Sequence, residues 1–219
     1  MLATGTPRRI LGAAIRVVLL VAGSTTIGVA VGIMLWNDFG PGPLDVFIGA
    51  VRTRTGLPLA VAVWAVVGAM AAVAWALGRR PGIGTLIGPL IAGPVMQATM
   101  TALDRWRAVD GLVVHVLVHG VAIGIIGFGA GALIASGLGA GTGELLAAAA
   151  SDRSGRPVTR VRFACEATLL ALGVALGGPI GLGTLLVAAL IGPSVAHGYR
   201  RIDAVVTGSR RQLALAVGP

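Results

Sequence analysis

Long apolar segments with few charges recur along this chain of 219 residues, and they constrain its fold more than any other feature. A helix needs roughly 20 apolar residues to cross a hydrocarbon core about 30 Å thick, because each residue adds about 1.5 Å. Several segments reach that length. The composition agrees, since 56% of the residues are hydrophobic and 11% are charged. We therefore predict an integral membrane protein whose spanning elements are α-helices.

The apolar segments predict six transmembrane helices. A Gly-rich turn and a short stretch compatible with a helix follow the first span, and the same arrangement follows the fourth. We predict short or broken helices at these two places, in a single all-α membrane domain that covers the chain from 1 to 219. The predicted spans are 11–36, 57–78, 83–103, 111–136, 157–177 and 182–199.

The second half of the chain repeats the first half in register, without an insertion. Gly-rich apolar chains match by chance more easily than others do, but Pro, Thr and acidic positions also coincide over the whole length, which favours an internal duplication. The matches are Gly28 and Gly32 with Gly127 and Gly131, 40–42 with 139–141, Asp45 with Glu144, Arg54, Gly56 and Pro58 with Arg153, Gly155 and Pro157, and the Gly, Thr and Pro positions of 82–94 with those of 181–193.

Three spans per copy is an odd number, so the second copy must cross the bilayer in the opposite direction to the first. We therefore predict two inverted repeats of three helices, at 10–108 and 109–200, followed by a basic cytoplasmic tail at 201–219. The N-terminal stretch resembles a signal peptide. Its match to a later span makes it instead the first helix of the first repeat.

The arginines give an independent test of this inversion, because cytoplasmic loops of membrane proteins are enriched in basic residues. All 17 basic residues are arginine. If the N-terminus is inside, most of them fall on the cytoplasmic side. The exceptions, on the outer side, are Arg52, Arg54, Arg105 and Arg107. We predict a multi-pass plasma-membrane protein with both termini in the cytoplasm.

Several other classes of function are disfavoured. The net charge of +9 occurs in nucleic-acid-binding proteins, but here the arginines lie between apolar spans, where they set topology and contact anionic headgroups. No nucleotide-binding loop or catalytic motif points to an enzyme. His115 and His119 lack a third metal ligand, and Cys165 has no partner for a disulfide. We expect hydrogen-bonding or interfacial histidines, no cofactor, no metal and no nucleic acid.

Two acidic residues at matched positions are the main candidates for a substrate or ion pathway. Asp45 and Glu144 each follow a Gly-rich break and fall in the first turn of a short helix. The partial positive charge of the helix N-terminus stabilises a carboxylate there, which is a structural explanation. In the functional explanation, the pair forms symmetry-related proton or cation sites facing one cavity. The sequence leaves both roles open.

A second matched pair of segments adds further candidates, namely Gly84 with Thr85 and Gly183 with Thr184. Each precedes prolines inside a predicted span. Proline removes a backbone donor, so we expect these spans to bend or unwind and to line a polar pathway. Close helix packing by the glycines and helix capping by the threonines explain the same residues equally well.

Glu166 is the most deeply embedded charge in the predicted spans. Intramembrane acidic residues often belong to ion or substrate pathways, which makes Glu166 a candidate. Arg162 precedes it by four positions, a spacing that favours a salt bridge on one helix face. A pathway role and a structural pairing are both consistent with this pattern.

Three stretches give the chain a resemblance to a known family. They are GIMLWNDFGPGPLDVFIGAVRTRTGLPL at 32–59, RRPGIGTLIGPLIAGP at 79–94 and GLGAGTGELL at 137–146. In these stretches the chain resembles the YczE/YyaS/YitT group of bacterial multi-pass membrane proteins, and most closely its YczE branch. The resemblance extends over nearly the whole span region and implies a location in the plasma membrane.

Two functions from different classes follow from these observations. The first is a secondary transporter or permease for a small solute or a proton, because matched broken segments in inverted repeats are typical of such proteins. The second is a non-transporting membrane factor that binds and supports other membrane proteins or enzymes, with a second copy of this chain or another membrane protein as its partner. It would use small-residue helix faces such as 124–131. In both cases the lipid bilayer is the main surrounding partner.

Overall fold

The computed structural model of the chain describes residues 6–106 and 111–216, and the side chains of 12–106 and 111–206. Within these ranges all regular secondary structure is α-helical. The helices are α1 Thr6–Trp36, α2 Pro43–Thr55, α3 Leu59–Ala76, α4 Ile83–Leu103, α5 Leu112–Ser136, α6 Thr142–Ser154, α7 Val158–Ala175 and α8 Leu182–Ala216. The predicted all-α fold is therefore confirmed.

Five of the described helices are long and apolar enough to cross a membrane: α1, α3, α4, α5 and α8. α7 occupies the place of the predicted span at 157–177 and is as long as α3, with 18 residues. It does not belong to this class, because Arg160, Arg162 and Glu166 lie in its first half. The apolar composition thus supports five of the six predicted spans.

The bounds of α2 and α3 recur in α6 and α7 at a constant offset, the one that separates Asp45 from Glu144. The short helices α2 and α6 both have 13 residues, and α3 and α7 both have 18. Gly56 and Gly155 end α2 and α6 in the left-handed conformation, with φ of 71° and 66°. Glycine adopts this conformation without the steric cost of a Cβ. The local rules that end these helices are therefore the same in both halves.

The short helices α2 and α6 confirm the prediction of such elements after the first and fourth spans. Of the predicted bending or unwinding at the prolines, unwinding does not occur. α4 continues through Pro89 and Pro94, and α8 continues through Pro193. A membrane helix tolerates proline because neighbouring helices help to satisfy the freed backbone groups. α8 also extends to Ala216, so most of the predicted tail at 201–219 is helical.

The long helices approach each other closely at glycines. α1 packs against α4 and α5, and α5 packs against α8. A Cβ placed on Gly129 would lie 2.9 Å from the carbonyl oxygen of Gly23, and a Cβ on Gly23 would lie 2.6 Å from the carbonyl oxygen of Gly129. Small residues allow this approach, which is a common way to pack helices in lipid.

The apolar core is centred on α3, which packs with residues of α1, α2 and α4. Val63, Val66 and Met70 on α3 are buried there, together with Val31 and Met96. A second cluster joins α1, α5 and α8, and a third joins α3 and α6. The two short helices therefore lie inside the bundle, where they can contribute side chains to an internal site.

Candidate functional site

A cavity of about 300 Å³ lies inside the bundle, and we call it the central cavity. Residues of all eight helices line it, with Ile126 and Leu133 from α5 and Val187 and Ile191 from α8. Most of its wall is apolar, including Met34, Met70 and Met96. Its polar lining residues include Ser24, Asp45, Thr85, Thr142, Glu144, Arg162, Cys165 and Glu166. Apolar walls with a few polar groups are typical of sites for small molecules.

A second chamber of about 790 Å³, which we call the vestibule, lies next to the central cavity. Its lining includes Asp38, Arg52, Gln97, Thr101 and Asp104. All of these except Gln97 are exposed, so the vestibule is accessible from one end of the bundle. The two chambers share four lining residues, namely Met34, Asp45, Ile48 and Met96.

Asp45 is the charged residue common to both chambers. It lies in the first turn of α2, directly after the N-cap Gly42, so the stabilisation by the helix N-terminus predicted from the sequence is present. None of the ion pairs among the described side chains involves Asp45. α2 is not one of the five spanning helices, and burial raises the pKa of Asp45 to about 7.

Glu144 lines the central cavity together with Asp45, but its surroundings differ. Arg162 lies between two carboxylates: its Nη1 is 3.1 Å from Oε1 of Glu144, and its Nε is 3.0 Å from Oε1 of Glu166. The predicted pairing of Arg162 with Glu166 is therefore confirmed. At the matched positions of the first half, α3 has Val63 and Val67, which also line the cavity. The site is thus apolar near Asp45 and ionic near Glu144.

Two backbone hydrogen bonds at matched positions hold the Gly-rich turns in place. The amide of Gly84 at the start of α4 donates to the carbonyl of Leu138, at 2.9 Å. The amide of Gly183 at the start of α8 donates to the carbonyl of Phe39, at 2.7 Å. Each half thus binds the turn of the other half, and these turns lead directly into α2 and α6.

The two candidate threonines have different surroundings. The Oγ1 of Thr85 donates to the carbonyl of Ala140 at 2.7 Å, and Gly84 and Thr85 both line the central cavity. Thr184 and Gly183 do not line it. Oγ1 of Thr184 accepts a hydrogen bond from the amide of Gly181 at 3.3 Å. The capping explanation therefore fits Thr184, whereas the hydrogen bond of Thr85 stabilises the turn before α6.

Ser24 is a lining residue that the sequence analysis did not single out. Its side chain is buried, with 1% of its surface exposed, and its Oγ has no hydrogen-bond partner in the part of the chain that is described. The position that matches Ser24 is Ile123, so the repeat gave no signal for it. An unpaired buried hydroxyl is uncommon and calls for an explanation such as a ligand.

The histidines of α5 have a structural role. Nδ1 of His115 donates to Oδ1 of Asn37 at 2.9 Å, and Nδ2 of Asn37 lies 3.3 Å from Nδ1 of His119. Phe39 stacks on His115. Of the two expected roles, hydrogen bonding is the one that the structure shows, although the buried Nε2 of His119 has no hydrogen-bond partner among the described residues. Within 6–106 and 111–216, no group of three or more His, Cys, Asp or Glu residues is placed to hold a metal ion.

Comparison with known proteins supports the family resemblance. The uncharacterized membrane protein YczE of Bacillus subtilis is 31% identical over 156 residues, which cover 70% of each chain. The model of a family of unknown function, DUF6198, matches residues 83–199. This chain belongs to the YczE-type membrane protein family. A second relative, an uncharacterized protein of Haemophilus influenzae, is 27% identical over 169 residues, or 77% of this chain and 76% of its own.

No solved structure matches this chain significantly. For this YczE-type protein, the family membership and the five apolar helices establish a membrane protein in contact with the lipid bilayer. The geometry of the two chambers is therefore the main guide to its activity.

Proposed function

We propose that this protein is a secondary transporter or permease that moves a small solute across the plasma membrane, with Asp45 and Glu144 as the main pathway residues. The observation that carries the proposal is that these two carboxylates, one from each half of the chain, line the same internal cavity. Carboxylates inside a helical bundle are unfavourable unless they are paired or functional. Of the two, Asp45 is the one without an ion pair to any described side chain.

We further propose that the two halves are inverted repeats of three spans. The recurring helix bounds and the exchanged hydrogen bonds of Gly84 and Gly183 support this arrangement. α7 would be the sixth span, and Arg162 and Glu166 fit that position because Arg162 pairs with Glu166 on the same helix and with Glu144 of α6. Inverted repeats place a substrate site at their interface, which is where the central cavity lies.

The proposed orientation places both termini in the cytoplasm. Most of the arginines are then on the cytoplasmic side, as the positive-inside rule requires. In this orientation the vestibule opens to the outside, since it lies at the end of the bundle where α1 ends. Asp45 would separate the outside chamber from the central cavity and could exchange a proton during transport.

The alternative, a membrane factor that binds other proteins, has less support. The small-residue segment at 124–131 was its proposed contact face. Gly127 and Gly131 pack instead against Ser194 and Tyr199 of α8, and Gly129 packs against α1. This segment is used mainly for contacts within the chain.

Transport in proteoliposomes tests the proposed function. The probes are a panel of small solutes that contains amines, amino acids, monocarboxylates and sugars, each assayed with and without a pH gradient. We expect a flux of at least one class above that of empty liposomes, and a reduction of about tenfold or more in Asp45→Asn and Glu144→Gln. No protein-dependent flux of any class would overturn the proposal. An unchanged flux in both variants would remove these two residues from the mechanism.

A further inference from the structure

The charge on the walls of the two chambers is opposite to the charge of the whole chain. The protein carries 17 arginines and eight acidic residues. Five of the eight acidic residues line the chambers, namely Asp38, Asp45, Asp104, Glu144 and Glu166. Among the arginines that the structure describes, Arg52 and Arg162 are the only two that do. A route lined by acidic side chains inside a basic protein attracts cations and repels anions.

The central cavity does not resemble a site for a bare metal ion. Its carboxylates are spread over different helices, and the described residues contain no cluster of metal-ligating side chains. A volume of about 300 Å³ corresponds to about ten water molecules, each with a share of about 30 Å³. The apolar wall with its three methionines would instead cover a hydrocarbon group.

The polar groups of the cavity favour a cation that donates hydrogen bonds. Asp45 has no basic partner among the described residues, and Ser24 has a buried hydroxyl with no partner. Both line the cavity and both can accept a hydrogen bond from an ammonium group. Quaternary ammonium ions are usually bound by aromatic cages, and no Phe, Trp or Tyr is among the residues that line the cavity.

From these observations we infer that the central cavity binds a small protonated alkylamine, with its ammonium group at Asp45 and Ser24 and its alkyl chain against Met34, Met70 and Met96. This inference rests on the proposed function, because it names the class of solute that the transporter would carry. The ion pairs of Arg162 leave the cavity with excess negative charge, which balances the charge of the ligand.

The binding test uses the purified full-length protein and four probes of similar size. They are n-butylammonium, 1-butanol, butyrate and tetramethylammonium, and the readout is the thermal unfolding midpoint in detergent. A ligand that binds only the folded state raises this midpoint with its concentration. We expect n-butylammonium to raise it, and the other three probes to have much smaller effects.

In Asp45→Asn, about tenfold or more n-butylammonium should be needed for the same rise in the unfolding midpoint, because the substitution removes a charge-assisted hydrogen bond. Asp203→Asn is the matched control: it makes the same change in charge at an exposed position outside both chambers. It should leave the effect unchanged. If Asp45→Asn does not fold, Ser24→Ala replaces it, with an expected loss of about threefold or more.

The inference would be overturned if 1-butanol or tetramethylammonium raised the midpoint as much as n-butylammonium does, or if butyrate raised it more. It would also be overturned if Asp203→Asn weakened the effect of n-butylammonium as much as Asp45→Asn does. The two proposals can fail separately. A protein-dependent flux of an uncharged or anionic solute, with no binding of n-butylammonium, would refute the amine site and leave the transporter. Binding of n-butylammonium without flux of any solute would support the amine site and refute the transporter.

Discussion

At the scale of single residues, two positions that match in the sequence can have different chemical roles. Asp45 and Glu144 occupy matched positions in the first turns of two short helices, yet among the side chains of 12–106 and 111–206 only Glu144 has a basic partner. The difference comes from α7, where Arg162 replaces the valine found at the matched position of α3. One half of the site therefore holds a paired carboxylate, and the other half holds an unpaired one between two chambers.

The raised pKa of Asp45 predicts a pH-dependent stability. Because its pKa rises from 3.8 to about 7 on folding, folding favours the neutral carboxyl. The stabilisation by the neutral carboxyl is fully present below the pKa that Asp45 has in the unfolded state. It declines as the pH rises through the pKa of the folded state and is absent above that value. Asn has no such titration. We therefore expect the unfolding midpoint of the wild type to fall relative to Asp45→Asn as the pH rises.

The measurement is the midpoint of both proteins in one detergent from about pH 5 to about pH 8. Because Asp45 is partly exposed, we expect a change in the free energy of unfolding that is well below the value equivalent to the full pKa shift. We expect the difference between the two unfolding midpoints to change by about 2–4 °C over this pH range. A change of about 1 kcal/mol in the free energy of unfolding has this effect in a chain of this size. A difference that is independent of pH, or that changes in the opposite direction, would contradict the prediction.

At the scale of elements, glycines decide how closely the helices pack. On α5, Gly129 meets the backbone of α1, whereas a Cβ on Gly124 would have no heavy atom within 4 Å. The two glycines lie on the same helix but face different surroundings. The same substitution at Gly129 and at Gly124 therefore separates the effect of helix packing on stability from the effect of helix propensity.

Gly129→Val should destabilise the protein, because its side chain would force α1 and α5 apart. We expect a loss of about 1–3 kcal/mol in the free energy of unfolding, as for other overpacked sites. Gly124→Val makes the same change in propensity on the same helix and should have little effect. Thermal or denaturant unfolding of both variants measures the difference. Similar losses in the two variants would mean that the crossing of α1 and α5 is not as close as described.

At the scale of the whole molecule, the exchanged turns connect the two halves. The turn after α1 accepts a hydrogen bond from the start of α8, and the turn after α5 accepts one from the start of α4. These turns also lead into the helices that carry Asp45 and Glu144. Any relative movement of the halves would therefore move the two carboxylates with respect to the cavity.

Labelling from outside the cell tests the inverted arrangement. Thr55 and Ser154 are matched residues at the ends of α2 and α6, and both are exposed. In a Cys165→Ser background, Thr55→Cys should react with a membrane-impermeant maleimide on intact cells. Ser154→Cys should react only after permeabilisation. Equal reactivity of the two positions on intact cells would refute the inversion.

The sequence by itself determined the elements of this protein. Lengths of apolar sequence predicted the helices, and Gly and Pro at matched positions predicted the short helices α2 and α6, because these features act within a few residues of the chain. The pairing of Arg162 with Glu166 was predictable for the same reason, since both lie on one helix face.

Only the tertiary structure decided which of these residues meet. The contact of Arg162 with Glu144, the unpaired hydroxyl of Ser24 and the position of Asp45 between two chambers depend on packing between distant segments. The continuity of α4 and α8 through their prolines also depends on neighbouring helices. Local patterns carry no record of such neighbours, so the cavity and its charge could be read only from the folded chain.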